Sequence, residues 1–163
     1  MKHITLSTVF LSVLLITGCN QNTSVPGLGN TTEDFEAEYG ENEINQDESN
    51  YDYTDNTGYL SVSFEVERAT EIHLDLQALE RDEFFSEEDA IEQVRSHLPY
   101  DVTEENRSNE GDYTELTYTS EQLLEFVPEF ESDNGEAVIT VELMGSEEGY
   151  TEASLMIEGD SSN

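Results

Sequence analysis

Lysine and cysteine each occur once in this 163-residue chain, and five basic side chains stand against 39 acidic ones. A single cysteine excludes an intrachain disulfide framework and a thiolate zinc cluster. The shortage of lysine and arginine, with a formal charge of -34, excludes nucleic acid as a partner, because a phosphate backbone is repelled by such a surface. Glycine patterns are missing too. No G-x-S-x-G, P-loop or paired dinucleotide glycines occur, and no H-E-x-x-H helix, so no motif marks a nucleophile, a nucleotide or a zinc hydrolase. The length allows one modest domain.

What is present begins at the first residues, MKHITLSTVFLSVLLITGCN. Lys2 and His3 are basic, and Ile4 to Ile16 is uncharged and mostly apolar. As a helix this run reaches about 20 Å against a hydrocarbon layer of roughly 30 Å. That is the length of a secretion-signal core, which ends in small residues at the cleavage point. Ile16-Thr17-Gly18-Cys19 then resembles the lipobox of bacterial lipoproteins. The resemblance covers only about the first 20 residues. It implies cleavage between Gly18 and Cys19 and diacylglycerol on the Cys19 thiol, with the mature chain held on the bacterial cell membrane, facing away from the cytoplasm. Residues 1–18 are then the signal peptide, and Cys19 is an anchor rather than a nucleophile.

Residues 20–57 are rich in Asn, Thr, Glu, Asp, Ser and Gly, and no basic residue occurs among them. Their few apolar side chains (Phe35, Tyr39, Ile44, Tyr51, Tyr53) keep no sustained period. Little apolar area offsets the entropy of ordering and like charges repel, so residues 19–57 are expected to be a lipidated cysteine and a disordered acidic tether. The alternative is that the tyrosines form a partner-binding segment that folds on contact. Asp52, Thr54, Asp55 and Asn56 fail the spacing of a calcium loop, since glycine falls seventh instead of sixth.

From residue 58 to 159 the pattern is that of a folded domain, followed by a tail at 160–163. Leu60, Val62, Phe64 and Val66 alternate with polar residues, and after Arg68-Ala69-Thr70 so do Ile72, Leu74, Leu76 and Ala78. Ser86 with Asp89 opens a helix whose stripe is Ala90, Ile91, Val94 and Leu98, ended by Pro99. Residues 103–112 (TEENRSNEGD) read as a loop, and Thr114, Leu116 and Tyr118 as a strand. Thr119-Ser120-Glu121-Gln122 has the spacing of a second helix cap, with Leu123, Leu124 and Val127 inward. Ala137 to Leu143 and Ala153 to Ile157 form a hairpin around Gly145–Gly149. The expected fold is α+β, a small two-layer domain in the order β-β-α-β-α-β-β. Its antiparallel sheet of about five strands carries two short helices on one face.

Chemistry-bearing residues are sparse. His73 falls on the wet face of a strand and His97 at a helix end, both expected at the surface, and no metal site or cofactor follows from them. Carboxylates are so numerous that any pair can be nominated for a small carboxylate-dependent envelope hydrolase, Glu65 and Asp75 across the first hairpin among them; solvated surface charge is the preferred reading, and no catalytic residue is assigned. Glu65, Asp75, Glu115 and Glu142 occupy wet-face positions of four expected strands. Without the signal, four arginines remain against 39 acids, so most carboxylates have no cationic neighbour. The leading expectation is therefore a membrane-anchored, non-enzymatic envelope lipoprotein that binds a basic protein or peptide. A divalent-cation-binding surface module is the second reading, and the hydrolase the third.

Overall fold

The computed structural model describes residues 25–42, 53–79 and 84–159. Among these, seven strands form one antiparallel sheet: β1 (Tyr53–Thr54), β2 (Leu60–Glu65), β3 (Arg68–Asp75), β4 (Thr103–Asn109), β5 (Tyr113–Ser120), β6 (Ala137–Ser146) and β7 (Gly149–Ile157), in spatial order 1-2-3-7-6-5-4. Two helices accompany them, α1 (Thr32–Tyr39) and α2 (Glu87–Arg95). The α+β class with an antiparallel sheet holds. The strand number and the element order differ from expectation, for reasons that lie in particular residues.

Alternation builds the centre of the sheet. Leu60, Val62, Ile72, Leu74, Leu116, Ile139, Val141, Leu143, Ala153 and Leu155 are fully buried, while their in-between neighbours line the opposite face. The period of 2 thus gives one face to the core and leaves one to solvent. Ser86 caps α2, its Oγ accepting from the Asp89 amide at 3.2 Å. The helix buries Ala90, Ile91 and Val94 over β7 and β6. Gly149 opens β7 with φ of 139° and a would-be Cβ only 2.6 Å from the Phe85 carbonyl oxygen. No other residue fits where the α2 approach pairs with β7.

Four expectations are corrected. Residues 25–42 and 53–57, read as tether, belong to the folded body: Thr31 forms a capping box with Asp34, and Phe35 is 0% exposed against Tyr53 and Phe64. One aromatic side chain packed into a distant strand pair supplies the apolar area that local composition lacked. Asp55 adds a turn, accepting from the Leu60 amide at 2.9 Å. Second, residues 103–109 are a strand rather than a loop. β4 lies at the sheet edge and is almost wholly exposed, so it has no need of apolar residues. Third, β5 runs through Ser120, and the segment after it forms 3-10 turns at Gln122–Glu125 and Pro128–Phe130. Ser120 Oγ does accept from the Leu123 amide at 3.0 Å, but the bonds that follow are mostly of the i→i−3 kind, Leu124 to Glu121 at 3.3 Å and Phe126 to Leu123 at 3.0 Å, and Pro128 opens the second 3-10 turn. Fourth, the first hairpin turns at Val66-Glu67, both with positive φ (48° and 65°), because Glu65 pairs with Arg68. Ala69 and Thr70 therefore lie inside β3. No helix among the described residues is long and apolar enough to cross a membrane.

Candidate functional site: the open face of the sheet

Strand register assembles the solvent-facing side chains into rows. One row reads Thr54, Ser61, His73, Ser154, Glu142, Glu115, Ser108 across all seven strands. A second reads Ser63, Glu71, Met156, Thr140, Thr117, Asn106, and a third Asp75, Glu152, Met144, Tyr113. None of these rows contains a lysine or an arginine. Two carboxylate pairs stand directly opposite each other on adjacent strands, Glu115 with Glu142 and Asp75 with Glu152. Like charges in that position destabilise a sheet, by a few tenths of a kcal/mol or more.

Tyr113 bridges the first pair. Its hydroxyl donates to Glu142 Oε1 at 2.8 Å and to Glu115 Oε2 at 3.1 Å. The bond to Glu142, burial and the bond to Glu115 together push the phenol well above its ordinary value. One hydroxyl proton thus serves two carboxylates where a cation would serve better.

The described arginines are engaged elsewhere. Arg107 holds Glu104 through Nε and Nη2 at 2.9 and 2.8 Å, and Glu87 through Nη1 at 2.9 Å. That grip keeps Glu104 below the usual carboxylate range. Arg68 lies over the Phe126 ring and donates to the Gly29 carbonyl. Arg95 stands near Glu104 and Tyr118. The described arginines sit around the helix-covered side, while the open rows carry Glu71, Asp75, Glu115, Glu142 and Glu152 without a basic residue.

The residues singled out from sequence are distributed unevenly. Gly18 and Cys19 lie outside the described residues. Glu115 and Glu142 come together as neighbours. Glu65 and Asp75 do not: the turn at Val66-Glu67 pairs Glu65 with Arg68, whereas Asp75 lies at the far end of β3 opposite Glu152. No carboxylate dyad forms there. His73 lies on the open face as expected, between Ser61 and Ser154. His97 is corrected from surface to interior. It is 1% exposed, and its Nδ1 donates to the Pro26 carbonyl at 2.7 Å. No group of three or more metal-ligating side chains converges among the described residues. Tyr113 escaped sequence reading because nothing local distinguishes it; only the register places it between two acids.

No protein-family model, curated protein or solved structure matches the chain. The functional reading therefore rests on its own residues.

Proposed function

We propose that this chain is a membrane-anchored lipoprotein of the bacterial envelope that faces away from the cytoplasm and binds a basic protein or peptide, with no catalytic step. The observation that supports the binding role most strongly is the pair of opposed carboxylates Glu115 and Glu142. They stand in rows without lysine or arginine and share one tyrosine hydroxyl. A sheet can carry like charges side by side only at a cost to its stability. Ammonium or guanidinium groups arriving from a partner would relieve that repulsion and exchange a shared neutral donor for charge-assisted bonds. The breadth of the face favours a macromolecular partner over a small molecule, since the rows lie on an open surface and not in a closed cavity. The lipobox-like Ile16–Cys19 segment supplies the address: two acyl chains on one cysteine hold a protein stably, where a single chain does so marginally.

Two measurements test the two halves. Cys19→Ala in the full chain is expected to move the protein from the detergent-rich to the aqueous phase on partitioning; equal partitioning with wild type contradicts the anchor. A lysine-rich peptide is expected to bind the full chain at low ionic strength and to dissociate at about 0.5 M NaCl, where the screening length falls to a few ångströms. Absence of binding in dilute buffer contradicts the basic partner.

A further inference from the structure

The sheet ends in two unequal edges. β1 is a two-residue strand beside which α1 is packed through Phe35. β4 is seven residues long and exposed along nearly its whole length. The hydrogen bond from the Glu110 amide to the Tyr113 carbonyl, 2.8 Å, fixes the phase of the β4–β5 ladder. In an antiparallel ladder bonded and non-bonded residues alternate, so Ser108 and Asn106 bond to β5. The N–H and C=O groups of Arg107 and Asn109 then point outward from the edge. A bulge at Glu105 interrupts the ladder, so the regular edge, a template for another strand, runs from Asn106 to Asn109.

On the helix-covered side of β4, inward from that edge, runs a groove. Glu87, at the start of α2, takes hydrogen bonds from Arg107 and Asn109 of β4 at 2.9 and 2.8 Å, and Arg95, at the end of α2, lies near Glu104. The helix is therefore antiparallel to β4. Glu87, Glu88, Ile91, Glu92, Arg95 and Arg107 line the space between them. Arg107 is committed to Glu87 and Glu104, which leaves Glu88 and Glu92 facing the groove without an ion pair among the described residues.

We infer that an extended, lysine- or arginine-bearing segment of the partner adds as an eighth strand at the β4 edge. This rests on the reading of the chain as a binder of a basic partner and names how that partner docks. Alternate side chains of such a strand fall on opposite faces. Those on one side continue the open row that ends Glu142, Glu115, Ser108, and those on the other lie on the helix-covered side, toward the groove that Glu87, Glu88 and Glu92 line together with Arg95 and Arg107. The open side carries no cation, and on the helix-covered side three carboxylates stand against two arginines. A second copy of this chain is disfavoured at the same edge, because its own β4 would bring Glu104 and Glu105 of a strongly acidic protein against these carboxylates. Backbone bonds supply affinity and the alternating side chains supply selectivity.

The test separates backbone pairing from charge attraction by giving them opposite signs. Arg107→Gln and Arg107→Pro remove the same cation, but only proline removes the outward N–H, and an edge position tolerates proline in this orientation. The probe is a capped peptide of alternating lysine and valine, titrated into the full chain in dilute buffer. Strand addition predicts that Arg107→Gln binds as tightly as wild type or tighter, and that Arg107→Pro binds about tenfold more weakly than Arg107→Gln. In parallel, the peptide methylated on alternate backbone nitrogens, in each of its two phases, is titrated into wild type; one phase is expected to lose binding at unchanged charge. That arm decides the matter if Arg107→Pro fails to fold by its melting curve. Equal binding of both Arg107 variants and of all the methylated peptides overturns strand addition while leaving the basic-partner reading standing. No binding of the unmethylated peptide to wild type overturns both.

Discussion

The imidazole Nδ1 of His97 donates to the carbonyl of Pro26, 2.7 Å away and 71 positions earlier in the chain. The Leu28 amide returns a bond to the His97 carbonyl at 3.0 Å. Further along, the Gly29 amide and the Asn30 carbonyl both bond to Ala69 of β3 at 2.8 Å. The stretch that precedes α1 is thereby clamped on the domain. Gly27 has to be glycine, because a Cβ there would stand 2.1 Å from the His97 carbonyl oxygen. Gly27→Ala is expected to cost about 1–3 kcal/mol through overpacking, read as a lower denaturation midpoint; an unchanged midpoint contradicts the clamp.

The same contact carries a pH dependence. Burial disfavours the imidazolium and lowers the His97 pKa below its ordinary 6.5, although the bond to Pro26 pulls the other way. With the folded value depressed, the contribution to stability is complete above the unfolded value and is lost as pH falls through the folded one. Ring-proton NMR is expected to give His97 a titration midpoint below 6.5. A midpoint at or above 6.5 contradicts a buried neutral ring.

Val66 and Glu67 form the tip of the β2–β3 hairpin with φ of 48° and 65°, a two-residue turn that suits Asn-Gly far better than a β-branched residue. Val66 is also 80% exposed, so its replacement forfeits little packing. The double change Val66→Asn, Glu67→Gly is expected to stabilise the protein by about 1 kcal/mol, seen as a higher melting temperature. A lower one contradicts the assigned turn.

Phe35 distinguishes a folded N-terminal segment from a tether. It is 0% exposed and meets Tyr39, Tyr53 and Phe64 with ring centroids 5.8–6.5 Å apart. Phe35→Ala is expected to cost about 3–5 kcal/mol; a tether residue would cost nothing.

These cases also show what could be read from sequence and what could not. Leu60/Val62, Ile72/Leu74, Leu116/Tyr118 and Ile139/Val141/Leu143 announce their strands because each puts an apolar face on the core. Ser86 announces α2 because its cap is local. β4 gives no such signal: an edge strand exposed along its length is written in the same letters as a loop. Phe35 is an isolated aromatic residue in an acidic stretch whose partners Tyr53 and Phe64 lie in β1 and β2, and Leu28 is tied to His97 beyond α2, so composition alone reads both as tether. Of the candidate site, the wet-face positions of Glu115 and Glu142 were legible. Their opposition, and that of Asp75 with Glu152, depends on register, which the position of the Val66-Glu67 turn and the β5–β6–β7 pairing set.

Opposed carboxylates make the open face salt-sensitive. Glu142→Gln removes one member of the Glu115–Glu142 pair while keeping an acceptor for Tyr113. It is expected to raise the melting temperature in dilute buffer, with the gain shrinking at about 1 M NaCl, where screening extends only some 3 Å. An equal gain at both salt concentrations contradicts electrostatic repulsion as its cause.

The central claim is that the open face itself, rather than total charge, receives a basic partner. Two variants of equal net charge decide it: Asp75→Asn, Glu115→Gln, Glu142→Gln, Glu152→Gln on the open face, and Glu129→Gln, Glu131→Gln, Asp133→Asn, Glu136→Gln in the segment before β6. Calorimetric titration of a lysine-rich peptide into each full chain, across a series of NaCl concentrations, gives affinity and its salt slope. The open-face variant is expected to bind about tenfold or more weakly than wild type, with a shallower salt dependence, while the other variant stays within a few-fold of wild type. Equal losses in the two variants would contradict a binding face and reduce the acidity to a diffuse property of the surface.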